Sequence, residues 1–409
     1  MRQNLTSMKR FIFSAALLFL GSSLYSQNLT LVSDEAHMES IVEKIMSRRD
    51  SVKAAQYALP KYAPHINIEL NTSANVCFRG NKLDEVYFKM DRVRLEFKGQ
   101  LLNDRLSYHY RQSFSRPDVL PSLDRLATSV ECAYLTWHAS PKFNLVAGKQ
   151  FVAVGGYEAW VNALKVREFS EFNDNMAVWL TGVSGEININ SDHQIILQVV
   201  DNWNVRADEW LAYGLPSGVS PSKVPLLGSV NWNAFFADKA VHLRYAASVG
   251  QLAKGKNIYY LTFGNIYEKG PIMAYLDVMY SREDIDSQQR ITMLNPAGGV
   301  SAQNVQYLSV IADFEYSFHP DWNAYLKGAY EIGDVYKTNG IFQKGRYLNC
   351  WNAQACVEWY PFTRKNGLKL YAHYVYKARE LASASIALGA SVADMQRVSL
   401  GLVYTIPVL

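Results

Sequence analysis

The sequence predicts an all-β protein, a transmembrane antiparallel up-and-down β-barrel of about sixteen strands with a short N-terminal helix. Three observations carry that prediction. The chain after Pro64 alternates apolar and polar residues with a period of two, the links between these segments alternate short and long, and the one long apolar run stands at the N-terminus behind basic residues.

Arg2, Lys9 and Arg10 precede an apolar stretch from Phe11 to Leu20, followed by Gly21-Ser22-Ser23-Leu24-Tyr25-Ser26-Gln27. A basic start, a short apolar run and a small residue at the cut describe an export signal over 1–26, because about ten apolar residues cannot cross about 30 Å of hydrocarbon as a helix. Removing those three cations takes the net charge from +4 to about +1. Residues 27–63 read as a periplasmic segment. Within it Met38, Ile41, Val42, Ile45 and Met46 recur at helical spacing, with Ser33 or Asp34 as N-cap and Pro60 beyond the end, so a helix is expected over 34–58.

The barrel is expected over 64–409. In Val93-Arg94-Leu95-Glu96-Phe97-Lys98, in Leu106-Ser107-Tyr108-His109-Tyr110-Arg111 and in Leu368-Lys369-Leu370-Tyr371-Ala372-His373-Tyr374, every second residue is apolar. Such segments fall near 65–77, 86–99, 105–115, 129–138, 142–152, 176–188, 193–202 and 228–237. They continue near 240–251, 257–268, 271–282, 304–318, 321–333, 346–360, 367–379 and 396–406. Every second link is short, as at 100–104, 189–192 and 269–270, whereas 153–175, 203–227, 283–303 and 380–395 are long. Short periplasmic turns and long outer loops give that pattern, and an even strand number leaves both termini in the periplasm. A water-soluble β-sandwich has no reason to sort link length by parity. Trp137, Tyr245, Tyr260, Trp322, Tyr330, Trp351, Trp359, Tyr374, Tyr376 and Tyr404 fall near strand ends or on the apolar register, as membrane-interface girdles would.

The segment Ser399-Leu400-Gly401-Leu402-Val403-Tyr404-Thr405-Ile406 resembles the C-terminal insertion signal of outer-membrane barrels, although the chain continues through Pro407-Val408-Leu409. With the export signal, the runs Phe88-Lys89-Met90-Asp91-Arg92-Val93-Arg94-Leu95-Glu96-Phe97-Lys98-Gly99 and Glu131-Cys132-Ala133-Tyr134-Leu135-Thr136-Trp137 through Gly148-Lys149-Gln150-Phe151 look like the phosphate-selective porin O and P family, over most of 64–409. The resemblance implies a sixteen-stranded trimeric channel of the Gram-negative outer membrane. The expected function is passive diffusion of small polar solutes with a mild preference for anions such as phosphate. The expected partners are outer-membrane lipid, small hydrophilic solutes or anions, and two further copies of the chain.

If the apolar register faces lipid, its partner register faces the channel. The expected channel-lining cations are Arg92, Arg94, Lys98, Arg111, Arg244, Lys327, Lys369, Lys377, Arg379 and Arg397. The expected carboxylates are Glu96, Glu186, Asp277, Asp313, Glu315, Glu331 and Glu358. Closure would bring the cations of strands 2, 3, 15 and 16 onto one wall beside an acidic wall on strands 11 to 14, giving a lateral field. The alternative is that these charges simply pair with one another. The link 153–175 is the candidate constriction loop, with Gly155-Gly156 for the inward turn and Trp160, Val161 and Leu164 to pack on the wall. It carries Lys165 and Arg167 against Glu158, Glu168, Glu171 and Asp174, a balance that fits poorly with a phosphate filter.

Other classes are disfavoured. With 41 basic and 37 acidic residues and no basic block, the chain lacks the footprint of a nucleic-acid binder. Cys77, Cys132, Cys350 and Cys356 have no zinc or redox spacing, and no metal or cofactor is expected. The sequence holds no GxSxG, HExxH, P-loop or GxGxxG, and His109, His242 and His373 fall singly on inward positions, so no enzyme is expected. A barrel lipase or protease would need a converging His/Ser/Asp set at the rim. A structural or adhesive barrel would need loop 153–175 or helix 34–58 to plug the lumen.

Overall fold

A computed structural model describes residues 64–114, 130–161, 165–202, 210–362 and 367–408. The export signal and the helix expected over 34–58 lie outside the described residues.

Sixteen antiparallel strands close into one barrel. The first eight are β1 (His65–Arg79), β2 (Lys82–Leu101), β3 (Leu106–Ser113), β4 (Val130–Ser140), β5 (Phe143–Phe151), β6 (Trp179–Asn188), β7 (His193–Asp201) and β8 (Leu226–Phe236). The second eight are β9 (Val241–Ala253), β10 (Lys256–Lys269), β11 (Ile272–Ile285), β12 (Gln303–His319), β13 (Trp322–Val335), β14 (Gly345–Trp359), β15 (Leu368–Leu381) and β16 (Met395–Pro407). Each pairs with its sequence neighbours, and β1 meets β16 from Asn67↔Pro407 to Arg79↔Met395. Closure leaves no sheet edge at that seam, which is how a sheet satisfies its backbone in lipid.

At one end the links are 102–105, 141–142, 189–192, 237–240, 270–271, 320–321 and 360–367. The other end carries 114–129, 152–178, 202–225, 286–302, 336–344 and 382–394, together with two tight turns, 80–81 and 254–255. Those two turns depart from the expected longer links. Strand pairing runs right up to them, Arg79 opposite Lys82 and Ala253 opposite Lys256, and Gly80 and Gly255 supply left-handed corners at φ 59° and 69°.

The outward register is apolar and exposed, with Leu135, Trp137, Leu326, Trp351 and Leu400 among its members. Trp322 stacks on Trp359 at 5.9 Å near one barrel end, and Tyr330 lies 4.2 Å from Trp351 toward the other. Tyr260 departs from the expected girdle. It is opposite Ser248 and Ser281, faces inward, and packs on Phe172 at 6.2 Å. Within the C-terminal signal, Gly401 lies opposite Tyr371, whose ring occupies the space a Cβ would need.

The inward register does not face water throughout, as the alternation alone implied. Inward Ile258, Tyr260, Met279, Ile311 and Leu348 form one buried apolar cluster with Val152, Val154 and Phe172 of link 152–178, Trp210 and Leu211 of 202–225, and Ile291 and Leu294 of 286–302. The links fold back and fill this sector, because burying that apolar surface is favourable by about 25 cal/mol per Å².

Candidate functional site

The site is built by link 152–178, which leaves β5, crosses the interior and returns to β6. Gly155 and Gly156 turn it at φ 82° and 78°. The turn lies tight against the wall. A Cβ on Gly155 would sit 3.1 Å from the Arg244 carbonyl, and one on Gly264 would sit 2.8 Å from the Gly156 Cα. Asp277 on β11 accepts the N–H groups of Tyr157 at 2.7 Å and Glu158 at 2.8 Å. Arg244 on β9 donates to the Gly156 carbonyl at 3.1 Å and stacks over Trp160. Glu158 is fully buried, ion-pairs with Lys327 of β13, and accepts from the Ser170 N–H at 2.9 Å.

Further along, Lys327 and Gln354 donate to the Glu168 carbonyl at 2.8 and 3.0 Å. Glu358 of β14 is shared by Arg167 at 2.5 Å and Lys369 at 2.7 Å, and the Arg167 guanidinium lies 3.5 Å over the Tyr371 ring. The Glu168 carboxylate is shared in the same way by Lys377 and by Arg397, the latter at 2.5 Å. Burial would raise the Glu168 pKa, but those two cations bring it down to about 2.

A single helical turn, α1 (Glu171–Asp174), is capped by Ser170. Glu331 of β13 accepts the N–H groups of Glu171 and Phe172 at 2.8 Å each. The Glu171 carboxylate meets Arg379 at 2.6 Å and Arg290 at 3.1 Å. Burial opposes its charge, yet Arg290 and Arg379 hold its pKa below the usual carboxylate range. Arg290 comes from link 286–302, so two links are tied by one buried pair.

The sector β1–β4 is organised differently, because its charges are matched strand to strand. Arg94 pairs with Glu69 at 2.9 Å and Glu131 at 3.1 Å, and Arg111 pairs with Glu131 at 2.8 Å while stacking on Trp179. Glu96 receives His109 Nε2 at 2.8 Å and Lys98 at 3.4 Å. Arg92, on the same inward face, has no ion pair or hydrogen bond among the described residues.

Strand pairing puts all ten expected cations on the inward register, together with Glu96, Glu186, Asp277, Asp313, Glu315, Glu331 and Glu358. It does not leave two open walls of opposite sign. Asp277 and Glu331 are taken by loop N–H groups, Glu358 by two cations, and Lys327, Lys377, Arg379 and Arg397 by loop carboxylates. Glu186 accepts from Asn144, and Glu315 from Asn323. Asp313 and Glu315 line a cavity of about 20 Å³ beneath the loop with Lys165 and Lys327.

Three residues of the network escaped the reading of the sequence. Glu69 alternates with Ile66, Ile68 and Leu70, a pattern that marks it inward. Glu131 sits at a register shift of β4, where counting by parity fails. Arg290 lies in a link, where parity has no meaning.

A family model described as phosphate-selective porin O and P matches residues 67–406. None of the curated proteins compared with the chain matches it. Among solved structures, the outer membrane channel DcaP of Acinetobacter baumannii is similar at 12% identity and a TM-score of 0.59, over 84% of this chain and 97% of that one. The anion-selective porin from Comamonas acidovorans is similar at 11% identity and a TM-score of 0.52, over 84% and 100%. A trimer form of the outer membrane protein OmpT of Vibrio cholerae is similar at 13% identity and a TM-score of 0.51, over 85% and 100%. At these identities the likeness is one of fold.

Proposed function

The chain belongs to the phosphate-selective porin O and P family, and from that premise we propose how its channel works. It is an outer-membrane porin, a barrel through which small polar solutes diffuse passively. On our reading, residues 153–175 form its constriction and the passage runs off-centre, between the edge of that loop and the sector β16–β1–β4. It takes anions such as phosphate with a mild preference over cations. Three copies assemble in the membrane, with lipid against the outward register, after residues 1–26 direct export and leave 27–63 in the periplasm.

One observation supports the anion preference above the others. Glu358 of β14, beside the loop, serves two cations, Arg167 and Lys369, which leaves a surplus of positive charge on that cluster, whereas Glu168 and Asp174 together balance Lys377 and Arg397. In a narrow, partly dehydrated passage the surplus at Glu358 raises the local concentration of anions. The measurement that tests this is single-channel conductance in a planar bilayer, with the reversal potential read in a potassium chloride gradient. A steady conductance reversing on the chloride side is expected. A cation-side reversal would remove the preference. No conductance would favour a plugged barrel, a reading to which the buried cluster beneath the links lends some weight.

A further inference from the structure

Among the described residues, every one of the ten expected inward cations but one has been given a partner by the chain itself. Of the ten inward cations, nine hold an ion pair or a hydrogen bond. Arg92 is the exception among the described residues, and its Nη1 is buried without a partner.

Its place in the fold makes the exception informative. Arg92 is opposite Asn71, where a register shift separates Arg92 from Met90 and sets Asp91 apart as the extra residue. Such a bulge re-aims the side chain that follows it. Two positions along the same face, Arg94 is occupied by Glu69 and Glu131, and Glu131 is also engaged by Arg111. Glu69 and Glu131 therefore reach Arg92 only through their field, and the neighbouring Asp91, whose buried Oδ2 is also without a hydrogen-bond partner, makes no ion pair with it. A guanidinium held partly out of water with no directly paired carboxylate is unfavourable. Its planar fork, however, is matched to the paired oxygens of a carboxylate or a phosphate.

We propose that Arg92 sets the anion preference of the channel: the carboxylate or phosphate group of a passing solute docks on the half-exposed edge of its guanidinium, which no described residue engages. The paired cations around it hold the scaffold and repel other cations, whereas Arg92 makes the contact that discriminates. The inference rests on the diffusion-channel reading and assigns its selectivity to one residue.

The test compares the wild type with Arg92→Gln, Arg92→Lys and Arg397→Gln in planar bilayers, using gradients of potassium chloride, potassium acetate and potassium phosphate. A heat-dependent shift in gel mobility confirms that each barrel is folded. Arg92→Gln is expected to lose the anion preference in all three salts. Arg92→Lys is expected to keep it for chloride and to weaken it for acetate and phosphate, because an ammonium lacks the fork. Arg397→Gln is expected to weaken it only in part and equally in all three salts, since it removes one charge from the passage while Arg92 stays in place. A wild-type reversal potential in Arg92→Gln overturns the inference. Should that variant not fold, unchanged phosphate and acetate selectivity in Arg92→Lys overturns it equally. A wild type that does not conduct, or that prefers cations, overturns the channel reading itself, whatever Arg92 does. If phosphate alone responds to Arg92 the docking group is a phosphate; if both oxyanions respond, it is either.

Discussion

The two sides of the barrel interior solve one problem in opposite ways. From β8 to β14 the inward side chains are roofed by links that bring their own apolar groups and their own carboxylates. From β1 to β4 the strands supply both signs of charge themselves, and no described contact from link 152–178 takes up a charged side chain there. The difference teaches that an inward position on a barrel strand is not yet a channel position. It becomes one where nothing folds over it, and counting charges along strands cannot tell the two cases apart.

Disrupting the roofed side should have the largest effect. Lys327→Met strands Glu158 as a fully buried anion, an event that costs about 3–5 kcal/mol. The expected result is a loosened loop, seen as a larger and noisier single-channel current and a lower urea midpoint. Asp277→Ala acts at the root of the same loop by orphaning two backbone N–H groups, at about 1–3 kcal/mol each. It should also raise conductance, and hydrogen exchange at Tyr157 and Glu158 should rise with it.

Acid probes the seam between the two sides. The folded pKa of Glu168 lies at about 2, below its ordinary 4.5, so its contribution to holding the loop is complete above 4.5 and lost as pH falls through about 2. Conductance from this clamp should stay flat from neutral pH down to 4.5 and change only in stronger acid. A change centred near neutrality would show that another group controls the loop. The smallest effect belongs to the β1–β4 side. Lys98→Gln removes a pair whose lysine is 34% exposed, worth about 0–1 kcal/mol. It should leave the urea midpoint in place and lower the anion preference only slightly.

Much of the strand framework was legible because its signal is local. Alternation over a few residues located all sixteen strands, and the links expected to be short are short, although 80–81 and 254–255 are tight turns at the end where longer links were expected. The site was only half legible. Arg92, Lys327 and Glu358 could be placed on a face by counting, but that Lys327 would meet Glu158, 169 positions earlier in the chain, depends on where a loop folds. The filled sector did leave one trace. In Ile258-Tyr259-Tyr260-Leu261-Thr262-Phe263 both registers are largely apolar, which is what a strand covered on two faces needs. Alternation alone marks that run only as part of the strand near 257–268, and Tyr260, expected in the girdle, turns inward to the filled sector.

Cys350 gives the molecule a built-in sentinel. All four cysteines are free and buried, and the Cys350 Sγ lies 3.5 Å from the Glu171 carboxylate and 3.7 Å from the Arg290 guanidinium, where two links and two strands converge. Since Glu171 of α1 and Arg290 of link 286–302 both lie against that buried sulfur, a thiol reagent should reach it once the linked pair lifts from the wall. The rate at which Cys350 takes up a maleimide, in a chain whose other three cysteines are changed to serine, therefore times the departure of the loop from the wall with no added label. In Lys327→Met that clock should run fast, and in Lys98→Gln it should keep the pace of the parent chain.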